Sequence, residues 1–597
     1  MRFTDFLINF DGSADATGAS IKRFPESDTR KMGISGAGLT FSWTEKSEKL
    51  FDEYSCKNWR CWRFGEMESL GPVATSGTAT LAQIADDLEA GTFEPSNLNG
   101  HFLLLAHHLP TGRWHIWTNR FGTFHSYYGT DGQRAALGTF FPAVVRVSSR
   151  RQLDWEALTG FFAFGFFPED RTHFVDVKIL QPAAHYAFGS DGRLLHKERY
   201  WQWWHKADMR RSYDDTVAEF NHHLNEVLSS QIQDGRVAIP ISGGLDSRST
   251  VAVLTPSNGA LQPDPRLWSY SYGYSTRSVE NRIGRRVAAA RGLPFQSFAI
   301  GSYLFDRLDL IIQSVEGFQD ITQCRQASVV DEISSHADYL IAAHWGDVWL
   351  DDMGLANDQR SNDGEFVLSH VLHKLAKPER VWLLEHLCSP RLSGEEPESI
   401  LRKMVQKEIS HLDHIEDPDF RMKAFKTDQW SFRWTTASLR MFQAAAFPRL
   451  PFYDSRLSDF FCTVPSRLVS GRRLQIDFLK RFAPDLARIT WQDYDANLFR
   501  YQHSNSWLLP KRAFKKGWRA LTNKRIIQRN WEAQFLNEDG KKGLQHWLLR
   551  EGLRLHEFVE PVAVRQLLDS FYSSPDKAAG YTLSMLLTFS SWLENYF

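Results

Sequence analysis

Residues 236–254 read RVAIPISGGLDSRSTVAVL. At the centre, Ser242-Gly243-Gly244-Leu245-Asp246-Ser247 gathers residue types suited to holding an anion. Two glycines let the backbone turn sharply and approach a ligand closely. The Ser242 and Ser247 hydroxyls, with the free N–H groups where a helix begins, offer hydrogen bonds and a favourable dipole to phosphate oxygens. Asp246 would repel a bare phosphate. Its presence makes sense if a divalent cation such as magnesium bridges it to the phosphate. The loop lacks the Gly-Lys-Ser/Thr ending of a Walker A sequence.

The elements that must position this loop alternate in type. Residues 237–241 predict a short strand running into it, and residues 247–254 a small-residue helix leaving it. Upstream, Tyr213, Val217, Phe220, Leu224, Val227 and Leu228 fall at helical spacing, with Asp214 and Asp215 at the favourable N-terminal end. Downstream, residues 267–272 predict a second strand, 279–291 a second helix closed by Gly292, and 339–343 a third strand. Strand and helix in alternation imply a parallel sheet with helical crossovers. From about residue 365 the pattern is mostly helical. Residues 1–205 differ: short apolar segments at 101–105, 114–117 and 185–188 are punctuated by Thr111-Gly112, Asp131-Gly132 and Asp191-Gly192, which predicts a β-rich domain of hairpins. A boundary falls in the polar stretch 201–215, dividing 1–205 from 213–597.

Composition narrows the class. A length of 597 residues suits two to four domains. With 42% apolar and 24% charged residues the chain is globular, which excludes disordered and collagen-like classes. Its 70 basic and 71 acidic side chains nearly cancel, so no nucleic acid is expected as a partner. Five scattered cysteines make no disulfide framework, and Cys56 and Cys61 lack a second pair at zinc-finger spacing. The opening MRFTDFLINFDG carries no signal-peptide pattern. The longest apolar run, 161–167, is far short of the roughly 18 residues of a membrane span. A soluble, cytoplasmic protein with no membrane span is expected. Residues 511–529 hold eight basic side chains and no acidic one, readable as a solvated helical face or as a site for an anionic partner.

The six-residue string resembles the PP-loop of the ATP pyrophosphatases, and its setting resembles the asparagine synthetase family over most of the chain. Supporting segments occur in the family's order. They are Asn119-Arg120-Phe121-Gly122 ending at Tyr127-Tyr128, then Leu153-Asp154 with Ala157-Leu158, Thr172-His173-Phe174, Leu180-Gln181-Pro182, and Pro451-Phe452-Tyr453-Asp454. The resemblance implies an α+β, β-rich N-terminal glutaminase-like (Ntn) domain followed by an α/β PP-loop synthetase domain with a parallel sheet and a helical C-terminal part. It implies ATP and Mg2+ as cofactors and a ligase chemistry: a carboxylate is adenylated, pyrophosphate leaves, and an amine displaces AMP to give an amide. AMP is a far better leaving group than oxide, and the pyrophosphate must be held by magnesium and N–H donors.

The resemblance also assigns residues. Ser242, Gly243, Gly244, Asp246 and Ser247 would bind the nucleotide, and Asp246 the magnesium. Asp347, in His344-Trp345-Gly346-Asp347-Val348, matches the family's second acidic ligand, although Val348 replaces the family's Glu and Asp351-Asp352 its paired glycines. Glu316 matches the Glu that faces the nucleophile and would be the general base. Glu280 reads as an N-terminal helix charge. The family's pyrophosphate-neutralising Lys has no clear counterpart, Gln475-Ile476 falling near its place; Arg472 or Arg473 can supply the charge, with Arg473 the candidate.

Where glutamine-dependent members begin Met-Cys, this chain has Met1-Arg2, so the N-terminal domain is expected to be catalytically silent. Branches without that Cys include β-lactam synthetases and lasso-peptide cyclases, which use an amine within their own substrate. The expected partner is therefore a small-molecule or peptide carboxylate, with a homodimer or a peptide-processing protein left open. The alternatives are lasso-peptide macrolactam formation and a non-catalytic binding or scaffold protein on a synthetase fold.

Overall fold

The computed structural model describes residues 1–11, 21–34, 37–70, 77–254, 264–355, 358, 360, 363–503, 527 and 529–597. The basic segment 511–529 lies outside the described residues except for Ile527 and Arg529.

The N-terminal part is built on alternation. In the first antiparallel sheet the strands lie in the order Val177–Ile179, Tyr127–Thr130, Ala135–Gly138, Thr4–Asn9, Ala37–Trp43, Asp28–Ile34. In the second the order is Leu194–Arg199, Ala184–Phe188, Arg113–Thr118, Phe102–His108, Trp59–Gly65, Phe51–Ser55. Successive side chains of a strand point to opposite faces. Phe6, Ile8, Leu39 and Phe41 of the first sheet therefore meet Trp62, Phe64, Leu103, Leu105, Trp114 and Ile116 of the second in one core. The residues between them face outward and are covered. Helix Thr78–Ala90 packs Leu81, Ile84 and Ala85 on the second sheet, and helix Phe141–Ser148 packs Val144 and Val145 on the first. The result is four layers, helix–sheet–sheet–helix. This is the β-rich N-terminal part that the hairpin pattern predicts.

After Arg199 the next regular helix is α1 (Tyr213–Gln231), whose Ser212 side chain caps it through the Asp215 N–H. A five-stranded parallel sheet follows. Its strands are β1 (Val237–Pro240), β2 (Leu267–Gly273), β3 (Phe295–Ala299), β4 (Tyr339–Ile341) and β5 (Phe447–Arg449), in spatial order β3-β2-β1-β4-β5. Helices α2 (Asp246–Ala252) and α3 (Val279–Ala289) carry the crossovers from β1 to β3. The chain thus builds outward from β1 on one side, then returns to lay β4 on the other. Parallel sheets of this kind place ligands outside the carboxyl ends of the strands where the order reverses, here between β1 and β4. The sequence pattern reveals β1, β2 and β4 but not β3 or β5. β3 alternates only weakly, with Phe295, Gln296 and Ser297 all half-buried, and β5 is three residues of an edge strand with Pro448 at its centre.

Helix α4 (Leu308–Val315), the short helix α5 (Gly346–Trp349) and α6 (Arg473–Phe482) surround the sheet, and the long helix α7 (Lys577–Tyr596) ends the chain. One continuous apolar core runs from Phe3 and Leu7 through Val237 and Leu340 to Leu593, so both parts share it. Among the described residues no helix is long and apolar enough to cross a membrane.

Candidate active site at the sheet reversal

The loop after β1 is closed on itself. The Ser242 N–H donates to the Ser247 Oγ at 3.0 Å, the two serine hydroxyls lie 3.0 Å apart, and the Gly244 N–H donates to the Ser242 Oγ at 3.2 Å. Gly243 leaves room for Gln492, because a Cβ there would overlap the Gln492 side chain and force it to shift. Gln492 is itself held in place: its N–H donates to the Gly243 carbonyl, and the buried Arg248 guanidinium binds the Leu486, Ile489 and Thr490 carbonyls just before it.

Asp246 and Asp347 come together although they lie far apart in the chain. β1 and β4 are adjacent and parallel, and each carboxylate follows the carboxyl end of its strand. The Asp347 charge acts on the Asp246 carboxylate at close range. Gly346 is as constrained as Gly243, since a Cβ there would lie 2.9 Å from the Asp246 Cγ and 2.9 Å from the Phe452 ring. The Pro451-Phe452-Tyr453-Asp454 segment is thereby shown to wall the Asp347 turn, and the Trp349 Nε1–H donates to the Phe452 carbonyl at 3.0 Å. Asp454 itself faces the N-terminal part, accepting from the Asn99 Nδ2 at 2.9 Å.

Burial first, and the Asp347 charge second, push the Asp246 carboxyl up to about 6, against the opposing pull of Arg472. Two close carboxylates, one of them unfavourably charged, are a donor set suited to a hard divalent cation, which neutralises both.

The cations around this pair differ from the sequence expectation. Arg472 Nη1 lies 3.3 Å from the Asp246 Oδ1, and its Nε lies 3.6 Å from Asp351. Arg473, the candidate from sequence, points elsewhere: its side chain is 60% exposed, lies over the Tyr213 ring at 4.1 Å and pairs with Asp477 at 3.9 Å. The difference is one of backbone. Arg472 holds a left-handed conformation with φ 58° just before α6, which turns it back toward the loop, whereas Arg473 is the first helical residue. Gln475 also reaches the site, its Nε2 donating to the Asp246 Oδ1 at 3.0 Å and to the Ser249 Oγ at 3.1 Å. Sequence reasoning missed Lys426. Its ammonium lies over the Trp345 ring at 5.6 Å, and burial lowers its pKa against the pull of Asp347. A single lysine at the end of a helix carries no motif that would have singled it out.

Glu316 stands in a different setting from the general base the resemblance implies. It is fully buried. Its carboxylate is bound by the Arg23 guanidinium, lies 3.1 Å from the Arg440 Nη1 and accepts from the Phe141 N–H at 3.3 Å. Arg23 in turn holds Asp5 at 2.8 Å, so the chain Asp5–Arg23–Glu316–Arg440 joins the N-terminal sheet to the C-terminal part. A base that takes a proton from an amine must be reachable by it; here both carboxylate oxygens are engaged and closed to solvent. Glu280 is in the first turn of α3, as expected of a helix charge.

A cavity of about 350 Å3 opens elsewhere, lined by Glu169, Arg199, Trp203, Glu408, His414 and Asp428 among others, and no loop residue lines it.

No family model matches the chain. Two solved structures show weak likeness. One is titled an allosteric regulatory enzyme of purine biosynthesis, at TM-score 0.22 and 11% identity, covering 49% of this chain and 65% of that one. The other is a glutamine phosphoribosylpyrophosphate amidotransferase from B. subtilis complexed with ADP and GMP, at TM-score 0.21 and 11% identity, covering 51% and 68%. Among curated proteins the chain is 23% identical to asparagine synthetase [glutamine-hydrolyzing] 1 of Bacillus subtilis (strain 168), over 233 residues. That match spans 38% of this chain and about a third (35%) of the relative, and over that stretch the chain is distantly similar to an asparagine synthetase.

Proposed function

We propose that the protein is an ATP-dependent carboxylate–amine ligase that transfers AMP from ATP to a carboxylate, releases pyrophosphate, and joins the activated acid to an amine. The observation that carries this reading is the pairing of Asp246 with Asp347 at the carboxyl ends of β1 and β4, beside a closed Ser-Gly-Gly loop. The distant similarity to an asparagine synthetase supports the same class. Asp246 and Asp347 would hold magnesium, which when bound neutralises phosphate charge. The residues of the chain divide the remaining work. The Ser242 and Ser247 hydroxyls would bind phosphate oxygens. Arg472 and Lys426 would offset the charge that builds up as pyrophosphate leaves. Gln475 orients Asp246 from behind, and Arg248 fixes the segment that closes over Gly243.

In this reading the N-terminal part is structural. Arg2 is tied by its N–H to the Gln443 carbonyl at 3.0 Å and by its guanidinium to Asp338 at 2.6 Å. Burial pushes the Cys61 thiol up to about 12, which leaves no thiolate there for glutamine attack. The carboxylate substrate, small molecule or peptide, would carry or meet its own amine.

ATP–pyrophosphate exchange screened over candidate carboxylates tests the proposal. One acid should support exchange in the wild type and fail to do so in Asp347→Asn. Exchange that persists in Asp347→Asn, or pyrophosphate release that no acid stimulates, overturns it.

A further inference from the structure

The second antiparallel sheet ends in a strand, Leu194–Arg199, every residue of which is exposed. A free strand edge is a template for unwanted pairing and is usually blunted in some way. On one face of this edge, three metal-binding side chains meet. His185, on the neighbouring strand, pairs directly across the ladder with Glu198, and His196 lies two residues from Glu198 on the same face. Their ligand atoms lie within 4.8 Å of one another. The His185 Nδ1 is 3.5 Å from one Glu198 oxygen, and the His196 Nε2 is 3.3 Å from the other. Metal–ligand bonds of about 2.0–2.1 Å in a tetrahedron put neighbouring ligands roughly 3.3–3.4 Å apart; the two contacts end on different Glu198 oxygens, so an arriving ion has to draw one oxygen toward both imidazoles, from ligand atoms that already lie within 4.8 Å of one another.

A second feature supports the site. Metal-bound imidazoles hold their other ring nitrogen in a hydrogen bond, which sets the tautomer and orients the ring. The His185 Nε2 lies 3.0 Å from the Nδ1 of His115, one strand further in. The ring also stacks on Trp117 at 4.6 Å, and this fixes its plane. His185 is thus set in place from the interior, while His196 and Glu198 remain half-exposed and open to an arriving ion.

We propose that His185, His196 and Glu198 bind a divalent transition-metal ion, zinc by the chemistry of two imidazoles and a carboxylate, and that the ion clips the edge strand Leu194–Arg199 to its neighbour. Three protein ligands leave the fourth position to water. The site is separate from Asp246 and Asp347, whose all-oxygen donors suit magnesium.

The test is a zinc titration of the full chain, freed of metal by chelation, against a chromophoric chelator, with Co2+ absorption as a probe of tetrahedral geometry. The wild type should bind zinc and show a visible Co2+ band. In His196→Ala and Glu198→Gln the affinity of that equivalent should fall at least about tenfold and the band should vanish, while Asp347→Asn keeps both. His196 is half-exposed on an edge strand, so its loss should not unfold the protein. Zinc uptake that is absent in the wild type, or identical in wild type and His196→Ala, overturns the proposal.

Discussion

Asp246 and Asp347 lie beyond the carboxyl ends of adjacent parallel strands, each in the first turn of the helix that follows, and stand so close that a side chain at Gly346 would touch the Asp246 carboxyl carbon at 2.9 Å. Burial and this neighbour raise the Asp246 pKa from 3.8 to about 6. A carboxyl with a raised pKa favours the folded state while protonated, so its contribution is present below pH 4 and lost as pH climbs through 6. Asp246→Asn should therefore stabilise the metal-free protein at pH 8, by up to about 3 kcal/mol and less for the exposed part of the side chain, with no gain at pH 4. The same change should abolish ATP–pyrophosphate exchange. Denaturant unfolding at the two pH values checks the first half; equal stability of variant and wild type at pH 8 contradicts it.

Arg472 and Arg473 are neighbours with different tasks. Arg472→Ala should lower the exchange rate at least about tenfold, because a cation facing developing charge in a closed site is worth more than about 1.4 kcal/mol. Arg473→Ala should leave it within about twofold, since that side chain is exposed and faces Tyr213. Steady-state exchange on both variants decides the matter, and the reverse ranking refutes it.

Glu316 should matter chiefly to stability. Replacing it by Gln leaves Arg23 and Arg440 buried without their shared carboxylate, a loss of about 3–5 kcal/mol. Adding Arg23→Met to Glu316→Gln should not recover the loss, because Asp5 would then also be left buried without its cation. Glu316→Gln as stable as wild type but inactive would instead support a proton-transfer role.

Glutamine should not supply the nitrogen. Cys61 is buried with a raised pKa, and Arg2 is tied to Asp338 and Gln443. The purified protein is expected to release no glutamate from glutamine, with or without ATP and an acid. Glutamate formed in step with amide would refute this and direct attention to Cys56, which is half-buried.

The strand–turn–helix form of the Ser242–Ser247 loop was legible in the sequence because its signals are local. Two glycines between a short apolar strand and a small-residue helix specify a turn without reference to any distant residue. The hairpin-rich N-terminal part was legible for the same reason, its turn pairs and alternation lying within a few residues of each other. Which side chains meet across the fold was decided by the tertiary structure. Asp347 lies beside Asp246 because β4 returns to pair with β1, and Glu316 is sealed in because Arg23 of one part reaches it through the shared core. Arg472 rather than Arg473 faces the loop through one left-handed residue, and Lys426 arrives with no motif at all. Such pairings depend on packing between segments far apart in sequence. Periodicity and turn chemistry act over one element and its neighbours, so they specify strands and helices but not which of their ends will be brought together.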